Sequence, residues 1–259
     1  MPFNKVVIFS KPRQPEVAKV AAELKSWLQA KSLQITEENP DFAVVVGGDG
    51  TLLAAARTFG ERQIPILAIN HGGLGFLTEV TLDEMYRALD RVLAGEFVTD
   101  RRMMMDVTVD RMRYRALNDA VIHKGTLARI IELEARVDGQ YVSSFRSDGL
   151  IVTTPTGSTA YNLSAGGPII FPTMSAMVVT PICSHTLTNR PIVLSGDVRI
   201  EITLRSTQDE VHLTVDGQVG QRLNPGDRVT VERSPVEVQL IAPSDKNYFD
   251  VLRGKLKWG

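Results

Sequence analysis

Apolar and polar positions follow one rule in the first hundred residues and another after them. Val6, Val7, Ile8 and Phe9 form a short continuous apolar run, as expected of a strand covered on both faces. Val17, Val20, Ala21, Leu24, Trp27 and Leu28 then recur at helical spacing, which predicts an amphipathic helix over about 14–31. The run Ala43–Val46 follows, then a predicted helix from Thr51 to Phe59 and a third apolar run, Ile64–Ile69. Thr81 with Glu84 makes a capping box before a further helix through Leu93, and Gly95 is placed to end it. Strand, helix, strand, helix, strand predicts an α/β N-terminal domain with a parallel, doubly wound sheet.

Past residue 100 the period drops to two. Val107 and Val109 alternate with polar neighbours, as do Ile131, Leu133, Ala135 and Val137 before the hairpin turn Asp138-Gly139. Val198, Ile200, Ile202 and Leu204 repeat the pattern, followed by Val211, Leu213 and Val215. Asn224-Pro225-Gly226-Asp227 is a turn signal before Val229 and Val231, and Val236, Val238 and Leu240 alternate again. This predicts a C-terminal all-β, sandwich-like domain of short antiparallel strands. The expected division is 1–100 for the α/β domain and 101–242 for the β-rich one, with a ligand site between the two.

Composition narrows the function without defining it. The 259 residues suit one large domain or two modest ones, and 43% apolar with 23% charged residues is the profile of a soluble globular protein. A formal net charge of −1 gives the whole molecule no attraction to nucleic acid or to an anionic membrane. No apolar run approaches the roughly 20 residues that span a bilayer. The opening MPFNKVVIFSKPRQ reads as a first strand without a signal-peptide cleavage pattern, so a cytoplasmic location is expected. Cys183 is the lone cysteine, which excludes internal disulfides and disfavours a cysteine-based metal site.

The candidate chemistry lies at strand ends. Residues 43–51, AVVVGGDGT, end an apolar run in three glycines around Asp49. Glycines let a ligand approach the backbone closely, and amides at a following helix N-terminus favour phosphate. The P-loop lysine and spacer are absent, and GGDG does not fit the dinucleotide fingerprint. A tight turn with Asp49 capping the next helix is the plain alternative. It does not account for a second glycine-rich strand end at Asn70-His71-Gly72-Gly73-Leu74-Gly75-Phe76. In the β-rich half, SDGLIVTTPTGSTAYNLSAGGP (147–168) begins as a strand and turns small, hydroxylated and glycine-rich, unlike core packing. Leu117-Asn118-Asp119-Ala120 sets an amide and a carboxylate in tandem beside an apolar strand.

Together these stretches resemble the NAD kinase family. The resemblance covers nearly the whole chain, through GGDGT at 47–51, LGFL at 74–77, LND at 117–119 and SDGLIVTTPTGSTAYNLSAGGP at 147–168. GGDG is shared with diacylglycerol-type lipid kinases and, more loosely, with phosphofructokinases; PTGSTAY makes the match specific. The resemblance implies transfer of the terminal phosphoryl group of ATP, or of polyphosphate in some members, to the 2′-hydroxyl of the adenosine ribose of NAD, giving NADP. Mg²⁺ would accompany the nucleotide, with no metal-ligating residues assigned in the protein, and the family forms homodimers and homotetramers. The chain's end, about 243–259, would pack back on the first domain.

Carried over residue by residue, the resemblance makes Asp49 the acceptor of the hydroxyl proton. Because a carboxylate is a weak base, its help comes late, as the hydroxyl loses its proton. Gly50 would lie beside it under the ribose, and Phe76 would line the adenosine pocket. Asn118 and Asp119 would bond ribose hydroxyls. Thr159, Ala160 and Tyr161 would hold the adenine and nicotinamide ends, with Asn162 and Ser164 nearby. Arg146 and Asp148 match a pair that contacts NAD, sometimes across a subunit boundary, and Arg146 resembles members that prefer NAD to NADH. Gln218, on the turn Asp216-Gly217-Gln218, and Arg129 complete the set.

Two other readings stand beside the kinase. A lipid kinase sharing GGDG would need an apolar cleft, which the polar TPTGSTAYN segment opposes. A dinucleotide sensor with the same pocket has no need of Asp49. Three features are set aside as structural. Cys183 near His185 reads as a small buried thiol rather than a dyad. His123 lacks metal co-ligands, and Met103, Met104 and Met105 are expected to pack where the domains join.

Overall fold

The computed structural model describes residues 3–11, 15–73, 75–126, 129–186, 188–207, 210–242 and 247–258. In chain order the elements begin with β1 (Lys5–Ser10), α1 (Pro15–Ala30), β2 (Gln34–Ile35), β3 (Phe42–Gly47), α2 (Asp49–Phe59), β4 (Ile66–Asn70), β5 (Val80–Thr81) and α3 (Met85–Ala94). Next come β6 (Val98–Val109), β7 (Met112–Ala116), β8 (Asp119–Lys124), β9 (Ile131–Val137), β10 (Gln140–Ser147), β11 (Gly149–Thr153), a 3₁₀ turn (Thr156–Thr159) and α4 (Tyr161–Ser164). The chain continues through β12 (Ala176–Ile182), β13 (Ile192–Ser195), β14 (Ile200–Leu204), β15 (Val211–Val215), β16 (Val219–Leu223), β17 (Arg228–Ala242) and α5 (Tyr248–Leu256). These form two compact units, residues 1–101 with 237–259, and residues 102–236.

The first unit is α/β. β1 pairs in parallel with β2 and β3, and β3 with β4, in the register Val44↔Leu67 and Gly47↔Asn70. The end of β17 adds a further parallel strand, Leu240 opposite Ile66. Every residue of β3 is buried, which is why it reads as a continuous apolar run. Val6, Val44, Val46, Leu67 and Ile69 face α1 and α3, packing with Leu24, Leu28 and Leu89. Alternate residues face the other way, where Phe9 meets Phe59 of α2 edge-on at 5.6 Å. Helices therefore cover both faces of a doubly wound sheet. Gly95 ends α3 with φ +83, and the Glu96 N–H bonds the Arg91 carbonyl, as a left-handed C-terminal glycine allows. The Glu84 carboxylate accepts from the Thr81 N–H and hydroxyl, and α3 starts one residue after it.

The second unit is antiparallel β. One layer has the order β13-β12-β11-β8-β15-β16, and the other contains β10-β9-β14-β17. Their inner faces share one core, with Leu133, Phe145, Ile202 and Val231 from one layer and Ile122, Leu150, Val152 and Leu213 from the other. Two sheets over one core make a sandwich. Asp138 and Gly139, at φ +49 and +77, form the β9–β10 hairpin turn. Met103 and Met105 belong to this core, and Met104 is fully buried.

Three readings of the sequence change here. The alternating runs at 229–231 and 236–240 belong to a single strand, β17, whose pairing partners change along its length from β14 to β4. The stretch after β11 is packed rather than open: Thr156, Ser158, Thr159 and Asn162 are buried. Cys183, expected as a buried thiol, is exposed just past the end of β12 at φ +45.

Candidate functional site

In the first unit the chemistry gathers where β3 and β4 end. Gly47 has φ +155, and a Cβ there would come 2.5 Å from Thr51 Oγ1, so glycine is required. Gly48 occupies the N-cap of α2, and no side chain caps the helix. Asp49 is therefore in the first turn, and its carboxylate reaches out of the helix. Its Oδ2 accepts from the Phe76 N–H at 3.0 Å, and Oδ1 from the Leu77 N–H at 3.2 Å and the Thr78 hydroxyl at 3.1 Å. The second glycine-rich strand end is thus the cradle of the first one's aspartate. Gly75 is part of that fit, because its Cβ would lie 2.1 Å from Asp49 Oδ1. Buried Asn70 braces the cradle through Nδ2, which bonds Thr78 Oγ1 at 2.8 Å and the Gly73 carbonyl at 3.1 Å.

Two cations flank this turn. Lys11 Nζ donates to the Gly50 carbonyl at 3.1 Å, and Lys255 Nζ sits 5.6 Å from the centre of the Phe76 ring. Neither lysine is marked by any motif in the sequence. Both lie far from GGDG along the chain and reach it only through the parallel sheet order and the return of α5 to this unit.

The second unit holds a cavity of about 670 Å³. Its lining includes Asn118, Asp119, Asp148, Ala160 and Tyr161, all named from sequence, and also Lys124, His123, Cys183, Asp216 and Gly217. Asp216 builds its floor: the carboxylate accepts from the N–H groups of Leu117 at 3.2 Å, Asn118 at 2.8 Å and Asp119 at 3.3 Å. Its backbone sits at φ +51, and its own N–H bonds the Asp119 carbonyl. Asp119 is 5% exposed. Burial, and next the Asp216 charge, push its carboxyl from 3.8 up to about 7. Among the described residues the Asp119 carboxylate has no hydrogen-bond partner, and Asn118 Oδ1 is buried without one. Both residues line the cavity.

The other wall is the turn after β11. Thr154 Oγ1 donates to the Leu117 carbonyl at 2.5 Å and Thr153 Oγ1 to the Asn118 carbonyl at 2.9 Å, which ties the turn to the Asn118 segment. A Cβ at Gly157 would come 2.3 Å from that same carbonyl. Tyr161 projects with 46% exposure. Asn162 is fully buried and its amide is used internally, donating to the Ser158 and Pro168 carbonyls and accepting from Thr180. Thr159 is buried, whereas Ser164, Arg129, Arg146 and Gln218 are exposed and lie outside the cavity lining. Asp148 lines it in an ion pair with Lys124 at 2.8 Å. Leu74 of the LGFL motif lies outside the described residues. Asp216 and Lys124 went unassigned in the sequence reading. The Asp-Gly turn was a signal for the first; the second had none.

A parallel α/β unit presenting one cradled carboxylate at a glycine-rich strand end, with a β-sandwich unit whose cavity offers paired acceptors, defines a nucleotide-handling protein. Family models described as the ATP-NAD kinase N-terminal domain and the ATP-NAD kinase C-terminal domain match residues 34–97 and 117–242. The chain is 49% identical to an NAD kinase of Geotalea daltonii and 48% identical to one of Geobacter sulfurreducens, over 99% of each chain in both cases. Among solved structures it resembles yeast NADH kinase complexed with NADH, with a TM-score of 0.90, 26% identity, and coverage of 100% of this chain and 89% of that one. It also resembles an NAD kinase from Archaeoglobus fulgidus in complex with ATP, with a TM-score of 0.81, 27% identity and 98% coverage of each chain. The chain belongs to the ATP-NAD kinase family.

Proposed function

We infer that this protein is an NAD kinase, an enzyme that transfers the terminal phosphoryl group of ATP to the 2′-hydroxyl of the adenosine ribose of NAD, giving NADP. The observation that carries the reading is Asn118 Oδ1, buried without a hydrogen-bond partner, next to Asp119 in the lining of the same cavity. A ribose diol supplies two adjacent O–H donors, the complement of that pair. Tyr161 offers the cavity a flat ring for a base or nicotinamide, beside Ala160 and Thr159. Asp148, Arg146, Ser164, Gln218 and Arg129 complete the dinucleotide contacts, and Asn162 acts by fixing the turn that carries Tyr161.

Asp49 accepts the proton of the attacking 2′-hydroxyl, with Gly50 and Phe76 beside the ribose. Phosphoryl transfer needs little covalent help from protein, so placement of that hydroxyl in line with the donor phosphate is the main contribution. The amides and hydroxyl that hold Asp49 fix its carboxylate before substrate arrives, which removes reorganisation from the reaction step. Among the described residues no three His, Cys, Asp or Glu side chains converge to hold a metal. A Mg²⁺ ion brought in on the ATP phosphates would neutralise charge on the transferred group. Polyphosphate is the alternative donor. The reading includes a cytoplasmic location and a homodimer or homotetramer; no described helix is long and apolar enough to cross a membrane.

Asp49→Asn tests this assignment. NAD affinity, measured by calorimetry, should stay within about threefold of wild type while NADP formation falls by about 10²–10⁴. Turnover near the wild-type rate would remove Asp49 from the proton-accepting role.

A further inference from the structure

We propose that Lys124 is the residue that holds the pyrophosphate of the dinucleotide. The inference rests on the cavity being the NAD site, as read above. Asp119, Val121 and His123 are alternate residues of β8, and all three line the cavity, so the strand runs along its wall. Asn118 and Asp119 stand at the start of that strand and Lys124 at its end, a rise of roughly 17 Å. One extended ligand can therefore meet Asn118 and Asp119 with a ribose and the ammonium with a phosphate group farther along.

The charge of the lining points to the same partner. Asp119, Asp148 and Asp216 line the cavity, and Lys124 is the one lysine or arginine among the described residues that do. A dinucleotide brings two phosphate charges to a wall that is otherwise acidic, and the ammonium offsets them. The structure also aims it. The Lys124 N–H bonds the Asp148 carbonyl at 3.0 Å and Nζ meets Asp148 Oδ1 at 2.8 Å, so main chain and side chain are tied to one residue. The two side chains are 26% and 36% exposed, so a ligand can reach the pair. An ammonium carries three donors and Asp148 takes one, which leaves two for phosphate oxygens.

The test is NAD binding by calorimetry, which needs no turnover. Wild-type protein that binds no NAD would remove the NAD site itself, and this proposal with it. Lys124→Met should weaken NAD binding about tenfold or more and flatten its salt dependence, whereas Lys124→Arg should stay within about threefold of wild type. Adenosine keeps the ribose diol and lacks phosphate. It should compete with NAD equally well in wild type and in Lys124→Met, a result that also shows the variant to be folded. Lys124→Met combined with Asp148→Asn removes both charges and should bind NAD no better than Lys124→Met alone. Unchanged NAD affinity in Lys124→Met, an equal loss for adenosine, or recovery in the double variant would each overturn the proposal. Unchanged NAD affinity beside a raised KM for ATP would move the lysine to the donor's phosphates.

Discussion

At the scale of single residues, the site depends on where carboxylates find or lack donors. Asp49 is satisfied by Phe76, Leu77 and Thr78, and Gly75 makes room for it. Gly75→Ala should therefore displace the carboxylate, lowering kcat on the order of a hundredfold while costing about 1–3 kcal/mol of stability. Steady-state kinetics with a denaturant midpoint separates the two effects. Asp119 is the opposite case, a buried carboxyl without a donor, titrating near 7 rather than 3.8. A folded-state value above the unfolded one means that the protonated form favours folding. This contribution is complete below about pH 4 and is lost as pH rises through about 7. Asp119→Asn has no such group, so the stability of wild type relative to this variant should fall by ~4 kcal/mol between pH 4 and pH 8, read from urea midpoints. Ribose hydroxyls donate to the ionised form, so the KM for NAD should rise as pH falls below about 7 in wild type and stay flat in the variant.

At the scale of elements, the cavity floor is a turn gripping a strand end. Asp216 Oδ atoms satisfy three consecutive N–H groups, those of Leu117, Asn118 and Asp119. Asp216→Ala should leave them buried without an acceptor and cost about 2–4 kcal/mol, with the KM for NAD rising more than kcat falls. Thermal unfolding and initial rates check this together. The same scale explains what was legible in the sequence. α1, α2, β3 and β4 announce themselves because a parallel sheet buries both faces of each strand and one stripe of each helix, a pattern local to the segment. The turn after β11 does not. Its start is pinned by the Thr153 and Thr154 hydroxyls, which donate to the Asn118 and Leu117 carbonyls more than thirty residues away, and Ser158 donates to the Pro155 and Ile170 carbonyls. Cys183 misleads for a similar reason: type and neighbours suggest core, but β12 ends one residue earlier. Asp49 was readable as unusual from its glycines alone, whereas its partners at 76–78 became visible only in the folded unit.

At the scale of the whole molecule, each unit has its own hydrophobic core and supplies its own part of the chemistry. Near-zero net charge adds no long-range attraction, so in the proposed function recognition falls to Asn118, Asp119 and the Tyr161 ring. The measurement that tests the account most directly is a coupled assay. Purified protein, Mg²⁺, NAD and ATP are combined, and NADP is detected with an NADP-specific dehydrogenase, with polyphosphate and NADH in parallel reactions. The account predicts NADP formed in step with ADP from the NAD and ATP pair. ATP consumed without NADP, or NAD bound with no NADP from any donor, would contradict it.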